Sequence, residues 1–135
     1  MNRPTNTLAQ QFRLAIATPL PPARTGVADY SATLARALAG KCHLTLLHDD
    51  REQPTFRPEG ITLAPISVLG DPDVRFDAVI YQIGNNHFHR AMANWHQRRP
   101  GWILLHEYDC LGASFGDVAN ENFLHRILQC AHGVI

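Results

Sequence analysis

The chain predicts a doubly wound α/β domain, a mostly parallel sheet with helices on both faces. Three observations carry this. Short apolar runs (LAIAT, CHLTLLH, DAVIYQI, WILLH) recur along the 135 residues. Runs with little polar alternation suit parallel strands covered on both sides. Between some of them lie segments with the 3.6-residue period of an amphipathic helix, and glycine or proline marks most changes of period.

Leu14 to Thr18 is the opening strand. Pro19, Pro21 and Pro22 cannot continue a ladder, so a loop follows, ending in Arg24-Thr25-Gly26. Gly26 is expected as the N-cap of a helix in which Val27, Tyr30, Leu34 and Leu38 recur at helical spacing, with alanines between them that allow close packing on a sheet. Asp29 falls in its first turn, where a carboxylate suits the helix dipole, and Gly40 is a natural residue to end it. Cys42 to His48 is the second strand, completing a βαβ unit. Residues 49–60 are charged and carry two prolines, which reads as a surface loop. Ile61 to Leu69 is interrupted by Pro65 and reads as a short or edge strand, closed by the turn Gly70-Asp71-Pro72-Asp73.

Asp77 to Ile83 is a further strand, ended by Gly84-Asn85-Asn86. A helix is expected from about His87 to Arg99, with Phe88, Met92 and Trp95 on one face. Pro100-Gly101 stops it. Trp102 to His106 is a buried strand whose end carries Glu107, Tyr108 and Asp109. A last helix is expected over roughly Asn120 to Ala131, and Gly133-Val134-Ile135 begins one more strand. A strand so short after a full helix suggests a longer protein divided here. The expected organisation is therefore a flexible lead-in over residues 1–11 and one domain over 12–135.

Composition excludes several functions. Twelve Lys and Arg balance twelve Asp and Glu, which argues against binding nucleic acid or an anionic membrane by bulk charge. Lys41 is the sole lysine. This fits either a compositional bias or a preference for the bidentate anion contacts of arginine. Cys42, Cys110 and Cys130 form no C-x-x-C pair, so neither a zinc ribbon nor a disulfide framework is suggested. There is no apolar signal segment and no run long enough to cross a bilayer, and a cytoplasmic location is expected.

In a doubly wound sheet, ligands bind at the carboxyl ends of the strands. Three polar loops fall there. The first is Arg24-Thr25-Gly26, where a helix N-terminus and a glycine could admit a phosphate; the rival reading is a plain helix-start turn. The second is Asn85-Asn86-His87 with His89, suited to sugar hydroxyls or a carboxylate, or else to helix capping. A metal reading is disfavoured, because i, i+2 spacing does not place both histidines on one helix face. The third is His106-Glu107 with Asp109, suited to proton transfer or to clamping a hydroxyl, or else a surface turn. G-x-S-x-G is absent, so a serine hydrolase has little support.

The same residues carry a resemblance. PLPPARTGVADYS followed by LARALA resembles the N-terminal start of GT-B glycosyltransferases, in the large group of retaining sugar-nucleotide-dependent enzymes (glycosyl transferase group 1, family 4-like). There the opening strand leads into P-x-x-x-G-[IV]-[AG]-x-[YH]. DAVIYQIGNNHFHRAM and PGWILLHEYDC are similar to the segments Y-x-x-G-N-x-x-x-H and P-G-x-x-x-L-H-[DE] of one branch, and AHGVI to the strand that continues into V-H-S. The resemblance spans nearly all of residues 13–135 in the family's motif order.

The resemblance implies a Rossmann-like, acceptor-side domain facing a C-terminal donor-binding domain that this chain does not include. It implies a nucleotide-sugar as co-substrate, no metal or other cofactor, and a sugar or lipid-linked acceptor. Any peripheral membrane contact would belong to the full-length enzyme. Gly26, with Thr25 and Arg24, would face the donor diphosphate. His106 and Glu107 would be catalytic, and Asn86, His87 and Asn85 would sit by the acceptor or sugar. Glu107 stands where relatives often have Asp. The isolated chain is expected to bind donor poorly and to transfer no sugar. Two other readings remain: a Rossmann-like module that binds an anionic small ligand without chemistry, and a non-catalytic interaction domain.

Overall fold

A computed structural model describes residues 12–106 and 129–135. The lead-in over residues 1–11, the residues Glu107, Tyr108, Asp109 and Cys110, and most of the expected last helix lie outside the described residues.

Six strands form one open, all-parallel sheet: β1 (Arg13–Ala17), β2 (His43–His48), β3 (Thr62–Pro65), β4 (Ala78–Ile83), β5 (Trp102–Leu105) and β6 (Gly133–Val134). Helix α1 (Gly26–Leu38) follows β1, and α2 (Arg90–Arg98) follows β4 after a 3₁₀ turn over His87–His89. The spatial order is β3-β2-β1-β4-β5-β6, consistent with a Rossmann-like fold. The order reverses between β1 and β4, where Ile16 sits opposite Leu46 on one side and Ile80 on the other.

Successive residues of a strand point to opposite faces, and two core clusters follow that alternation. Ala15, Ala17, Val79, Tyr81, Ile83 and Ile103 share one cluster with Met92 and Ala93 of α2. Ile16, Leu44 and Leu46 share the other with Ala35 of α1, and Leu14, Leu34, Leu38 and Ile80 pack against it. Gly40 takes φ +76° after α1, the left-handed conformation that ends a helix most easily when no Cβ is present. Pro65 closes β3 at an edge of the sheet, where its missing N–H interrupts no inner ladder.

Four details depart from the sequence expectation. The N-cap of α1 is Thr25, not Gly26: Thr25 is extended and its hydroxyl accepts from the Val27 N–H, a bond glycine cannot offer. The buried stripe of α1 is Ala28, Ser31, Ala32 and Ala35, whereas Tyr30 is half exposed. Small residues let this helix approach the sheet closely, and Leu34 and Leu38 cover the flank. In α2 the buried positions are Met92, Ala93 and His96, joined by His89 of the preceding turn. The 3₁₀ turn advances each residue further round the axis than an α-helix does, and so shifts the face away from Phe88. Strand β5 is also less covered than expected, with Trp102 41% exposed.

Candidate functional site

The first two polar loops and His106, the described residue of the third, meet at the carboxyl edge of β1, β4 and β5, beside the reversal in strand order. Thr25 caps α1 through its Oγ1, which accepts from Val27 N–H at 3.3 Å. Asn86 caps the 3₁₀ turn over His87–His89 in the same way: its Oδ1 accepts from Phe88 N–H at 3.0 Å. The Asn86 amide also donates from Nδ2 to Thr25 Oγ1 at 3.4 Å. The two helix starts are thereby tied across the edge by their own caps. The capping reading of Asn86 is thus realised, with both ends of its amide engaged. His87 is exposed and lies against the Phe88 ring, with centroids 4.1 Å apart, and Asn85 is half-buried beside them.

Gly26 opens α1 with open space where a side chain would stand, since a Cβ there would meet nothing within 4 Å. The fold itself does not require glycine at this position. An open hollow of about 510 Å³ lies over it, lined by Pro21, Pro22, Arg24, Thr25, Gly26 and Asp29. Arg24 and the helix N-terminus supply positive potential there, and Asp29 opposes it.

Behind this edge runs a buried polar chain that sequence reasoning did not identify. Thr18, at the end of β1, donates from Oγ1 to the Pro19 carbonyl at 3.0 Å. Its oxygen lies 2.7 Å from Ser31 Oγ of α1. Gln82 of β4 donates from Nε2 to Ser31 Oγ at 2.6 Å, and its Oε1 is hydrogen-bonded to His106 Nε2. His106 follows β5 directly, where its backbone N–H donates to the Ile83 carbonyl at 2.9 Å. Tyr30 meets its ring edge-on, with centroids 5.1 Å apart at 75°. Thr18, Ser31 and Gln82 are buried, and His106 is half-buried at the mouth. The detectable signal was a lone glutamine in an otherwise apolar strand, because a buried amide requires partners.

His89, paired with His87 in the sequence reading, points inward instead. Its ring is wholly buried, and Nδ1–H donates to the Gln82 carbonyl at 2.8 Å. Nε2 finds no hydrogen-bond partner among the described residues and faces the α-carbon of Gly84. Burial lowers its pKa to about 4, opposed by the bond to Gln82 and reinforced by nearby His106. The ring is therefore neutral at pH 7. Among the described residues, no group of three or more His, Cys, Asp or Glu is gathered as metal ligands would be. Glu107 lies outside the described residues.

A second hollow, of about 250 Å³, lies between the end of β2 and α2 and is lined by Asp49, Arg51, Arg90, Asn94, Trp95 and Arg98. Asp49 is held there in a 2.7 Å ion pair with Arg51. The hydrogen bonds from Arg51 keep the Asp49 carboxyl below its ordinary value, against the effect of burial. No known protein family, curated protein or solved structure matches the chain. No helix among the described residues is long and apolar enough to cross a membrane.

Proposed function

We propose that the chain is the acceptor-side, Rossmann-like domain of a cytoplasmic GT-B glycosyltransferase. The parent enzyme moves a sugar from a nucleotide-sugar to a sugar or lipid-linked acceptor. In this reading the sheet is doubly wound, with α1 and α2 on opposite faces, as the two alternating core clusters support. The observation that carries the proposal is the convergence of the three motif-bearing loops on one strand edge, tied by the Asn86–Thr25 bond and by the chain from Thr18 to His106. Gly26, Thr25 and Arg24 face the donor diphosphate across the open hollow. His106 approaches the reacting sugar, Glu107, the next residue in the sequence, shares its catalytic role, and Asn85, Asn86 and His87 line the acceptor side. The protein's own contribution is positioning and hydrogen bonding, with the opposite wall of the cleft supplied by a donor-binding domain.

The test is a titration of the labelled chain, followed by amide chemical shifts, with UDP-glucose, GDP-mannose, ADP-glucose, free monosaccharides and inorganic pyrophosphate. The expected outcome is weak binding, roughly millimolar, of a nucleotide-sugar, with shifts confined to the loops around residues 24–27, 85–87 and 106. The absence of any response to nucleotides and sugars alike would sink the proposal. Equal binding of pyrophosphate alone would favour a second reading, an anion-binding module without chemistry. The hollow beside Arg24 is what keeps that reading in play. Efficient sugar transfer by this chain alone would contradict the assignment of half a site.

A further inference from the structure

We infer that Gln82 is a positioning residue that fixes which ring nitrogen of His106 carries the proton, acting through a buried hydrogen-bond chain anchored on the Pro19 carbonyl. The inference builds on the proposal that His106 faces the bound sugar.

A carbonyl oxygen can only accept, so the single hydroxyl proton of Thr18 is committed to Pro19. At the 2.7 Å contact between the two hydroxyls, Ser31 must therefore be the donor. That commits the single proton of Ser31 and leaves its oxygen to accept from Gln82. The Gln82 amide must then turn its NH₂ toward Ser31, at 2.6 Å, and its oxygen toward His106. An oxygen facing Nε2 requires a hydrogen on Nε2. Neutral His106 is thus the Nε2–H tautomer.

Thr18, Ser31 and Gln82 are 0%, 1% and 0% exposed, so bulk water does not compete for the links. The ring cannot easily swing away, because its backbone is laddered to Ile83, the residue after Gln82, and Tyr30 flanks it. A hydrogen bond to one ring nitrogen is what sets the tautomer of catalytic and metal-bound imidazoles.

The experiment is long-range ¹H–¹⁵N correlation spectroscopy of the full chain at about pH 8.5, above the ordinary histidine range. His106 is assigned by its loss in His106→Gln. The expected result is a pure Nε2–H pattern in the native chain. Ser31→Ala removes the acceptor that orients the amide, and Thr18→Val frees the Ser31 proton to turn toward Gln82. Each is expected to give a mixed or Nδ1–H pattern. Gln82→Glu offers an acceptor in both orientations and is expected to restore Nε2–H in the Ser31→Ala background. A merely structural role for Ser31 would not produce that rescue. An Nδ1–H pattern in the native chain overturns the inference, as does an unchanged Nε2–H pattern in both folded variants. Because no sugar or nucleotide is needed, a fixed tautomer with no ligand response would keep this inference and remove the glycosyltransferase reading.

Discussion

Individual glycines separate what the fold needs from what a ligand would need. A Cβ at Gly84 would stand 2.6 Å from His89 Nε2, on a ring that is wholly buried and held by the Gln82 carbonyl. The ring cannot retreat without losing that bond, so Gly84→Ala is expected to cost about 1–3 kcal/mol in urea unfolding. Gly26 has open space instead. Gly26→Ala is expected to leave stability unchanged or raise it by up to about 1 kcal/mol, while weakening any response to diphosphate-bearing ligands. Equal destabilisation by both substitutions would show that the space over Gly26 has been misjudged. His89 adds a pH dependence. Its folded pKa of about 4 lies below the unfolded value of 6.5, so between these the unfolded chain binds more protons. Stability should therefore be full above about pH 6.5 and fall as the pH drops toward 4. The gap corresponds to at most about 3 kcal/mol. His96 acts in the same direction, through burial. Urea midpoints from pH 7 to 4 should show a shallower slope in His89→Asn, which keeps a donor for the Gln82 carbonyl but cannot titrate. The sequence marked both histidines as polar and so concealed them. An imidazole with one N–H bonded to a carbonyl can lie inside, but hydropathy scores it as surface.

At the scale of the element, the two helix starts bear most on function. Thr25 satisfies the Val27 N–H and also receives the Asn86 amide, so it serves one helix as a cap and links it to the next. Thr25→Ala is expected to cost about 1 kcal/mol, and Thr25→Ser to recover most of it, as read by urea unfolding. A Thr25→Ala variant as stable as the native chain would mean that water replaces the cap without loss. The helix behind Thr25 was legible, and α1 ends where its pattern and Gly40 placed it. Its buried stripe was legible in part: the alanines do pack closely on the sheet, and Leu34 and Leu38 pack beside them, but Ser31 is buried with the alanines and Tyr30 is half exposed. Ala35 is wholly buried against Ile16, Leu44 and Leu46. Ala35→Leu should therefore destabilise by about 1–3 kcal/mol, although leucine is nearly as good a helix former. In α2 the period was right and Met92 and Trp95 do pack on the core, but the phase leaves Phe88 only half-buried and sets His89 and His96 inward. The 3₁₀ turn at His87–His89 sets that phase, and periodicity alone carries no sign of it.

For the molecule as a whole, strand order decides both where the site lies and how stability is distributed. The succession of strands and helices was readable, because parallel strands need crossovers and the crossovers declare themselves by period. That β4 lies beside β1 rather than beyond β3 was not readable, because side-chain pattern does not encode strand neighbours. Yet this placement brings Gln82 under Ser31 and His106 beside Ile83, and so joins three loops far apart in the chain. It also sets an order of protection. β1 is paired on both sides over most of its length, by β2 and β4, whereas β4 meets β1 along its first four residues and β5 along its last four, so that Ile80 and Tyr81 are paired on both sides. Among the described residues, β3 has only β2 as a neighbour, and the two-residue β6 has only β5. Amides that open only when the sheet opens exchange by global unfolding, while edge amides exchange through local fraying. Hydrogen exchange is therefore expected to be slowest at Ala15, Ile16 and Ala17 and at Ile80, Tyr81 and Gln82, and orders of magnitude faster at Leu63, Ala64 and Val134. If the polar chain acts as a strut, Ser31→Ala should speed exchange at Gln82 more than at Leu46, which lies on the far side of β1. Equal acceleration at both would mean that Ser31 contributes only to overall stability. Protection in β3 equal to that in β1 would contradict the strand order itself.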